Sequence, residues 1–206
     1  MRTLQYGNRG KDVVTLQRLL HLVQDGIFGK ITREAVIVFQ AEHKLKVDGV
    51  VGPKTWEALL NQQEELVKSR RTIKYIIIHC TATKEGENHT VAEVTSWHKK
   101  RGFSTIGYHY LIDINGKINN GRDVNLVGAH CVGYNTYSIG VCYVGGLDIN
   151  GNTKDTRTDA QKASLERLLR RLKEQKFYPN AKIYGHNNFA AKACPCFNAE
   201  YEYSNI

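Results

Sequence analysis

A stretch near the start of the chain is repeated almost at once. Residues 25–35 read D-G-I-F-G-K-I-T-R-E-A and residues 48–58 read D-G-V-V-G-P-K-T-W-E-A. Asp25, Gly26, Gly29, Thr32, Glu34 and Ala35 thus recur as Asp48, Gly49, Gly52, Thr55, Glu57 and Ala58. A repeat constrains a fold strongly, because each copy must build the same local unit and the copies must then share a core. In each copy an Asp-Gly turn leads to a second glycine, and a helical pattern follows. Pro53 comes directly after Gly52, in the first helical turn, where a missing N–H does no harm. Apolar spacing places Val13, Leu16, Leu20 and Val23 on one helix face, Val36, Phe39 and Gln40 on a second, and Trp56, Leu59 and Leu60 on a third. These features predict a small three-helix domain over residues 1–60. Residues 61–71 (NQQEELVKSRR) are polar and charged and read as a linker.

From Thr72 to residue 206 the pattern changes. Ile73 to Ile78 is a β-branched run without alternation, as expected of a strand buried on both faces, and it runs into His79. Thr90 to Glu93 is a capping box that opens a helix through Trp97 to about Lys100, and Thr158 to Gln161 opens another, with Leu165, Leu168, Leu169 and Leu172 at helix spacing. Tyr108 to Ile114, the Asn115-Gly116 turn and Lys117 onward read as a hairpin. Ser138 to Val144 is a further apolar strand, and Ala181 to Tyr184 a short one that leads to Gly185-His186. The element order predicts an α/β domain with a mixed central β-sheet flanked by helices.

Several classes of function are set aside by composition. In 206 residues, 41% are hydrophobic and 24% charged, as in an ordinary globular chain. No apolar run reaches the roughly 18 residues of a membrane helix. The opening MRTLQYGNRGKD lacks the apolar stretch of a secretory signal, so synthesis in the cytoplasm is expected. The net charge of +9 suits a polyanionic partner, but the basic residues are scattered and no nucleic-acid module accompanies them, so no nucleic-acid partner is expected. Five cysteines without an export signal are expected to be reduced thiols, serving metal binding or packing.

Two histidines therefore follow buried strands, where α/β proteins gather their chemistry. Imidazole and thiolate are preferred zinc ligands, and a catalytic zinc takes three protein ligands with one position left open. His79, His186 and Cys194 make such a set, although a histidine taken singly is more often structural.

Residues 3–60, with L-Q-Y-G-N-R-G-K-D-V-V-T-L-Q-R-L-L and both D-G-x-x-G turns, resemble the peptidoglycan-binding domain attached to many cell-wall hydrolases. The second domain carries I-I-I-H-C-T-A-T, W-H-K-K-R-G, G-Y-H-Y-L-I, G-A-H-C-V-G-Y-N-T-Y-S-I-G-V-C-Y-V-G-G and H-N-N-F-A-A-K-A-C-P-C-F in that order. From Thr72 to Phe197 it is similar to the zinc-dependent N-acetylmuramoyl-L-alanine amidases, the group that includes the small lysozymes of T-odd phages and the peptidoglycan recognition proteins. The resemblance implies one Zn2+ per chain held by His79, His186 and Cys194. It also implies catalytic roles for Tyr108 and Lys192 and, for His130 and Asn135, either muropeptide contact or a structural role in their loop. Cys196 falls where the family commonly has serine or another small residue, and reads as a bystander.

The implied reaction is hydrolysis of the amide between the lactyl group of N-acetylmuramic acid and L-alanine by a zinc-activated water, with Tyr108 and Lys192 as candidate donors to the oxyanion. The expected partner is peptidoglycan. The expected biology is that of a phage or prophage endolysin that reaches the wall through a holin-type pore or another route. The alternative is a non-catalytic peptidoglycan receptor on the same fold; such receptors typically lack the cysteine ligand, and Cys194 is present.

Overall fold

The computed structural model describes residues 1–20, 22–60 and 66–206. By internal contacts the chain forms two units, Met1–Gln63 and Glu64–Ile206.

The first unit contains α1 (Lys11–Leu19), α2 (Lys30–Glu42) and α3 (Pro53–Leu60) around a core that includes Leu4, Leu16, Phe28, Val36, Phe39 and Trp56. The sequence repeat is a structural repeat with one further member per copy. Gln17 on α1 is buried; its Oε1 accepts from the Gly26 N–H at 2.9 Å and its Nε2 donates to Asp25 Oδ1 at 2.6 Å and to the Ile27 carbonyl at 3.0 Å. Gln40 on α2 repeats this with the Gly49 N–H at 2.8 Å, Asp48 Oδ1 at 3.1 Å and the Val50 carbonyl at 2.9 Å. Gly26 and Gly49 both sit at φ 70, a left-handed conformation that side chains disfavour, which is why glycine follows the aspartate twice. Val23 departs from expectation. The Leu22 N–H turns back to the Gln17 carbonyl at 2.8 Å, so the helix has ended before Val23, which is 83% exposed.

The second unit is a mixed sheet of order β4-β3-β5-β1-β7. Its strands are β1 (Tyr75–Cys80), β3 (Tyr110–Ile112), β4 (Ile118–Asn120), β5 (Ser138–Tyr143) and β7 (Lys182–Gly185). β1 pairs in parallel with β5 and β7, β3 pairs in parallel with β5, and β3 and β4 form the antiparallel hairpin. A two-stranded ladder joins β2 (Thr83–Lys84) to β6 (Gly146–Leu147). Helices α4 (Val91–Lys100) and α5 (Asp159–Leu172) both begin with the expected capping boxes, and α6 (Ala199–Glu202) follows near the C-terminus. Leu165, Leu168, Leu169 and Leu172 of α5 are fully buried, each worth about 1.5–3 kcal/mol on removal from water.

Of the expected linker, residues 61–65 lie outside the described residues. From Leu66 onward the chain is built into the second unit. Leu66 is buried in its core, Ser69 donates to the Tyr178 hydroxyl and the Val124 carbonyl at 2.6 Å each, and Arg71 reaches the carbonyls of Val124, Asn135, Thr136 and Ser138. The polar residues that resemble a linker satisfy backbone groups of neighbouring loops.

Candidate active site

The strand expected to stop before His79 runs to Cys80, so His79 lies inside β1, opposite Cys142 of β5. Side chains alternate along β1. Ile76, Ile78 and Cys80 enter the large core with the leucines of α5, and His79 points to the other face. His186 opens a single 3-10 turn (His186–Asn188) immediately after β7, and Cys194 follows in the loop beyond. Parallel pairing of β1 with β7 brings the two strand ends side by side. Potential ligand atoms of His79, His186 and Cys194 all lie within 4.8 Å of one another.

The hydrogen bonds around His79 determine which of its nitrogens is bare. The Ser138 hydroxyl donates to the Tyr134 carbonyl at 2.9 Å, so its oxygen accepts from His130 Nε2 at 3.3 Å. His130 Nδ1 then carries no proton and accepts from His79 Nε2 at 3.0 Å. That leaves His79 Nδ1 as a lone pair facing the Cys194 sulfur, 3.8 Å away. A metal-binding histidine needs this arrangement, with the second nitrogen donating to a fixed partner. The Cys194 sulfur also accepts the Cys80 N–H at 3.3 Å. Burial, and then the neighbouring His130, His186 and Lys192, hold His79 well below the usual histidine range; burial and Lys192 lower His186 as well. Both rings are neutral at neutral pH, as ligands must be. Two imidazoles and a thiol converging in this way are a donor set that fits zinc.

The Tyr108 ring lies 5.1 Å from that of His79 and is half-buried. Burial, with the nearby thiols of Cys142, Cys194 and Cys80, pushes its hydroxyl well above the usual tyrosine range, so it stays a proton donor. Lys192 is exposed on the loop between His186 and Cys194, and its charge is felt at both histidines.

His130 and Asn135, expected to contact substrate or to shape their loop, both have structural partners. His130 is 9% exposed and its ring is engaged at both nitrogens, by His79 and Ser138. A Cβ on Gly128 or Gly140 would lie 2.5 or 2.6 Å from His130 Cδ2, so these two glycines make room for the ring. Asn135 Oδ1 accepts the N–H groups of His130 and Cys131 at 2.9 and 2.8 Å, which shapes the loop that delivers His130. The sequence signal for this support was present in Gly128, Gly140 and Ser138, but it has meaning only once β5 is laid beside β1.

Two further histidines hold backbone. His109, fully buried and lowered by that burial to about 4, accepts from the Gly140 N–H at 2.9 Å. His98 Nδ1 accepts from the Gly107 N–H at 2.9 Å, just before Tyr108.

Comparison with known proteins agrees with this geometry. Residues 69–197 match the family described as N-acetylmuramoyl-L-alanine amidase, and residues 9–59 match the putative peptidoglycan binding domain. An endolysin of Klebsiella phage KP32 is 43% identical over 129 residues, 63% of this chain and 84% of that protein. An endolysin of Enterobacteria phage T3 is 43% identical over 131 residues, 64% of this chain and 85% of that protein. Among solved structures, the endolysin amidase LysCS from Clostridium intestinale superposes with a TM-score of 0.54 at 28% identity, covering 68% of this chain and 85% of that one. Drosophila PGRP-LB, at 22% identity and a TM-score of 0.56 over 68% of this chain and 85% of its own, shares the fold. The chain therefore belongs to the N-acetylmuramoyl-L-alanine amidase family and is a peptidoglycan amidase with an N-terminal domain of the putative peptidoglycan-binding family.

Proposed function

We propose that this amidase is a zinc enzyme of the endolysin type, with His79, His186 and Cys194 as ligands and Tyr108 and Lys192 as its catalytic side chains. The observation that carries the reading is the bare Nδ1 of His79, held toward the Cys194 sulfur by the Ser138–His130 relay. Zinc at such a site supplies Lewis acidity, which polarises a carbonyl and lowers the pKa of water toward about 7.

This chain's own residues do the rest. Neutral imidazoles and the sulfur orient the site, and His130 keeps His79 in the tautomer that can ligate. The Tyr108 phenol, kept protonated by burial, donates a hydrogen bond toward the charge that develops on the attacked carbonyl oxygen. The Lys192 ammonium, exposed on its loop, is accessible to a large polymer and offers a proton for the departing amine of L-alanine. The first unit holds the enzyme on the wall. The 43% identity to phage endolysins supports action on the wall from inside an infected cell.

Digestion of purified sacculi, with mass spectrometry of the new termini, tests the reading. Free L-alanine amino groups, one zinc per chain and loss of lysis with chelator are expected. New reducing sugar ends, or full lysis by metal-free protein, would overturn it.

A further inference from the structure

On the core side of β1, a second pair of sulfurs lies behind the candidate zinc ligands. Cys80 Sγ is 3.8 Å from Cys196 Sγ. Cys80 is 4% exposed, whereas Cys196 is half-buried at the loop surface, so only one of the two meets solvent readily. Gly146 makes the space: a Cβ there would lie 2.5 Å from Cys80 Sγ and 3.6 Å from Cys196 Sγ. Cys196 Sγ rests 3.2 Å from the Gly146 carbonyl, and Cys196 itself is held at φ 69. On each side of the Pro195 carbonyl, which is anchored by the Tyr143 hydroxyl at 2.7 Å, the loop thus directs a different sulfur to a different task. Cys194 faces His79 while also neighbouring the Cys80 thiol, and Cys196 faces Cys80.

We propose that Cys80 and Cys196 form a thiol–disulfide site, closing under oxidation into a staple between β1 and the loop that bears Cys194, with Cys194 itself left free. A disulfide needs its sulfurs at about 2.05 Å, so the gap closes by roughly 1.8 Å, within reach of side-chain rotation and a small shift of the loop. The oxidant is a small disulfide such as oxidised glutathione. Cys196, the accessible thiol, loses its proton and its sulfur attacks one glutathione sulfur; the S–S bond breaks and one glutathione leaves, taking up a proton. Cys80 then loses its proton and attacks Cys196 Sγ, releasing the second glutathione. Two protein thiols are oxidised and one glutathione disulfide is reduced to two thiols. The staple joins the residue after His79 to the residue two beyond Cys194, and so ties together the two segments that must stay close for both to ligate one ion. The staple's benefit rests on the zinc reading, but its readout is a covalent bond, so its failure is distinguishable from a failure of that reading.

The full-length, zinc-loaded chain is incubated with oxidised glutathione, unfolded, alkylated, digested and mapped by mass spectrometry. The expected result is one crosslinked peptide pair containing Cys80 and Cys196, with Cys131, Cys142 and Cys194 alkylated. The Cys196→Ser protein, treated in the same way, should show complete loss of that crosslink. Recovery of Cys80 and Cys196 as alkylated thiols after oxidation, or a disulfide from either one to Cys194, would overturn the proposal. A Cys196 that stops at the glutathione adduct, with Cys80 alkylated, would overturn it as well.

Discussion

The two units build their key turns in opposite ways. In the first, each Asp-Gly turn is held by a glutamine only eight residues earlier, and the same set of bonds occurs twice. In the second, His79 is held by His130, 51 residues away, and faces Cys194, 115 residues away. The first arrangement is local and therefore forms wherever its short motif is intact. The second exists only after β1, β5 and β7 have paired, since the sheet alone brings those residues within bonding distance. A local motif tolerates damage elsewhere, whereas a site assembled from distant strands concentrates its dependence on a few side chains.

Substitutions that break the distant arrangement should have the largest effects. Replacing Cys194 by serine, or His79 by alanine, should remove zinc and abolish amide hydrolysis; a metal-to-protein ratio and a sacculus-release assay read both. Full activity in Cys194→Ser would refute the ligand assignment. Next come the donors. Tyr108→Phe and Lys192→Ala should each lower turnover by about 10²–10³ while zinc remains bound, as measured by kcat together with metal content. Wild-type turnover in either variant would remove that residue from the mechanism.

The supporting shell should matter less. His130→Ala should weaken zinc by roughly 10- to 100-fold, because His79 loses the partner that fixes its tautomer. Competition with a chelator measures this, and unchanged affinity would show that the relay is dispensable. Gln40→Ala leaves the buried Gly49 N–H without its partner and removes one of the donors to the Val50 carbonyl, and should destabilise the first unit by about 1–3 kcal/mol, read from hydrogen exchange in α2 and α3. An equal loss with Gln17→Ala would confirm that the two copies are equivalent in energy as well as in geometry.

The smallest expected effect is a pH dependence of the first unit. Asp25 is held below the usual carboxylate range chiefly by Gln17, and Asp48 chiefly by the Val50 N–H and then by Gln40. A carboxylate lowered by folding stabilises the native state fully above its unfolded value, about 4, and that stabilisation fades as pH falls through the lowered folded value. The unit should therefore melt earlier below about pH 4, and Asp25→Asn should flatten the dependence. An unchanged acid profile in that variant would contradict the assignment.

Much of this molecule was legible in the order of its residues. Both capping boxes, the Asn115-Gly116 hairpin and the α5 leucine face use signals confined to a few neighbouring positions, and each appears where it was expected. The convergence of His79, His186 and Cys194 was legible for a different reason: two of the three follow closely on apolar strand patterns, and the motifs around them are distinctive. Val23 and the stretch from Leu66 to Arg71 were misleading because periodicity and polarity do not reveal where a backbone carbonyl will find its partner.

By itself, then, the sequence determined which segments form helices and strands, where α4 and α5 are capped, and which turns repeat, because those properties arise from bonds between near neighbours. The tertiary structure alone decided that His130 bonds to His79, that Gly128 and Gly140 make room for its ring, and that Cys196 faces Cys80. Each of these is a contact between segments far apart in the chain, and only the register of a folded sheet brings such segments together.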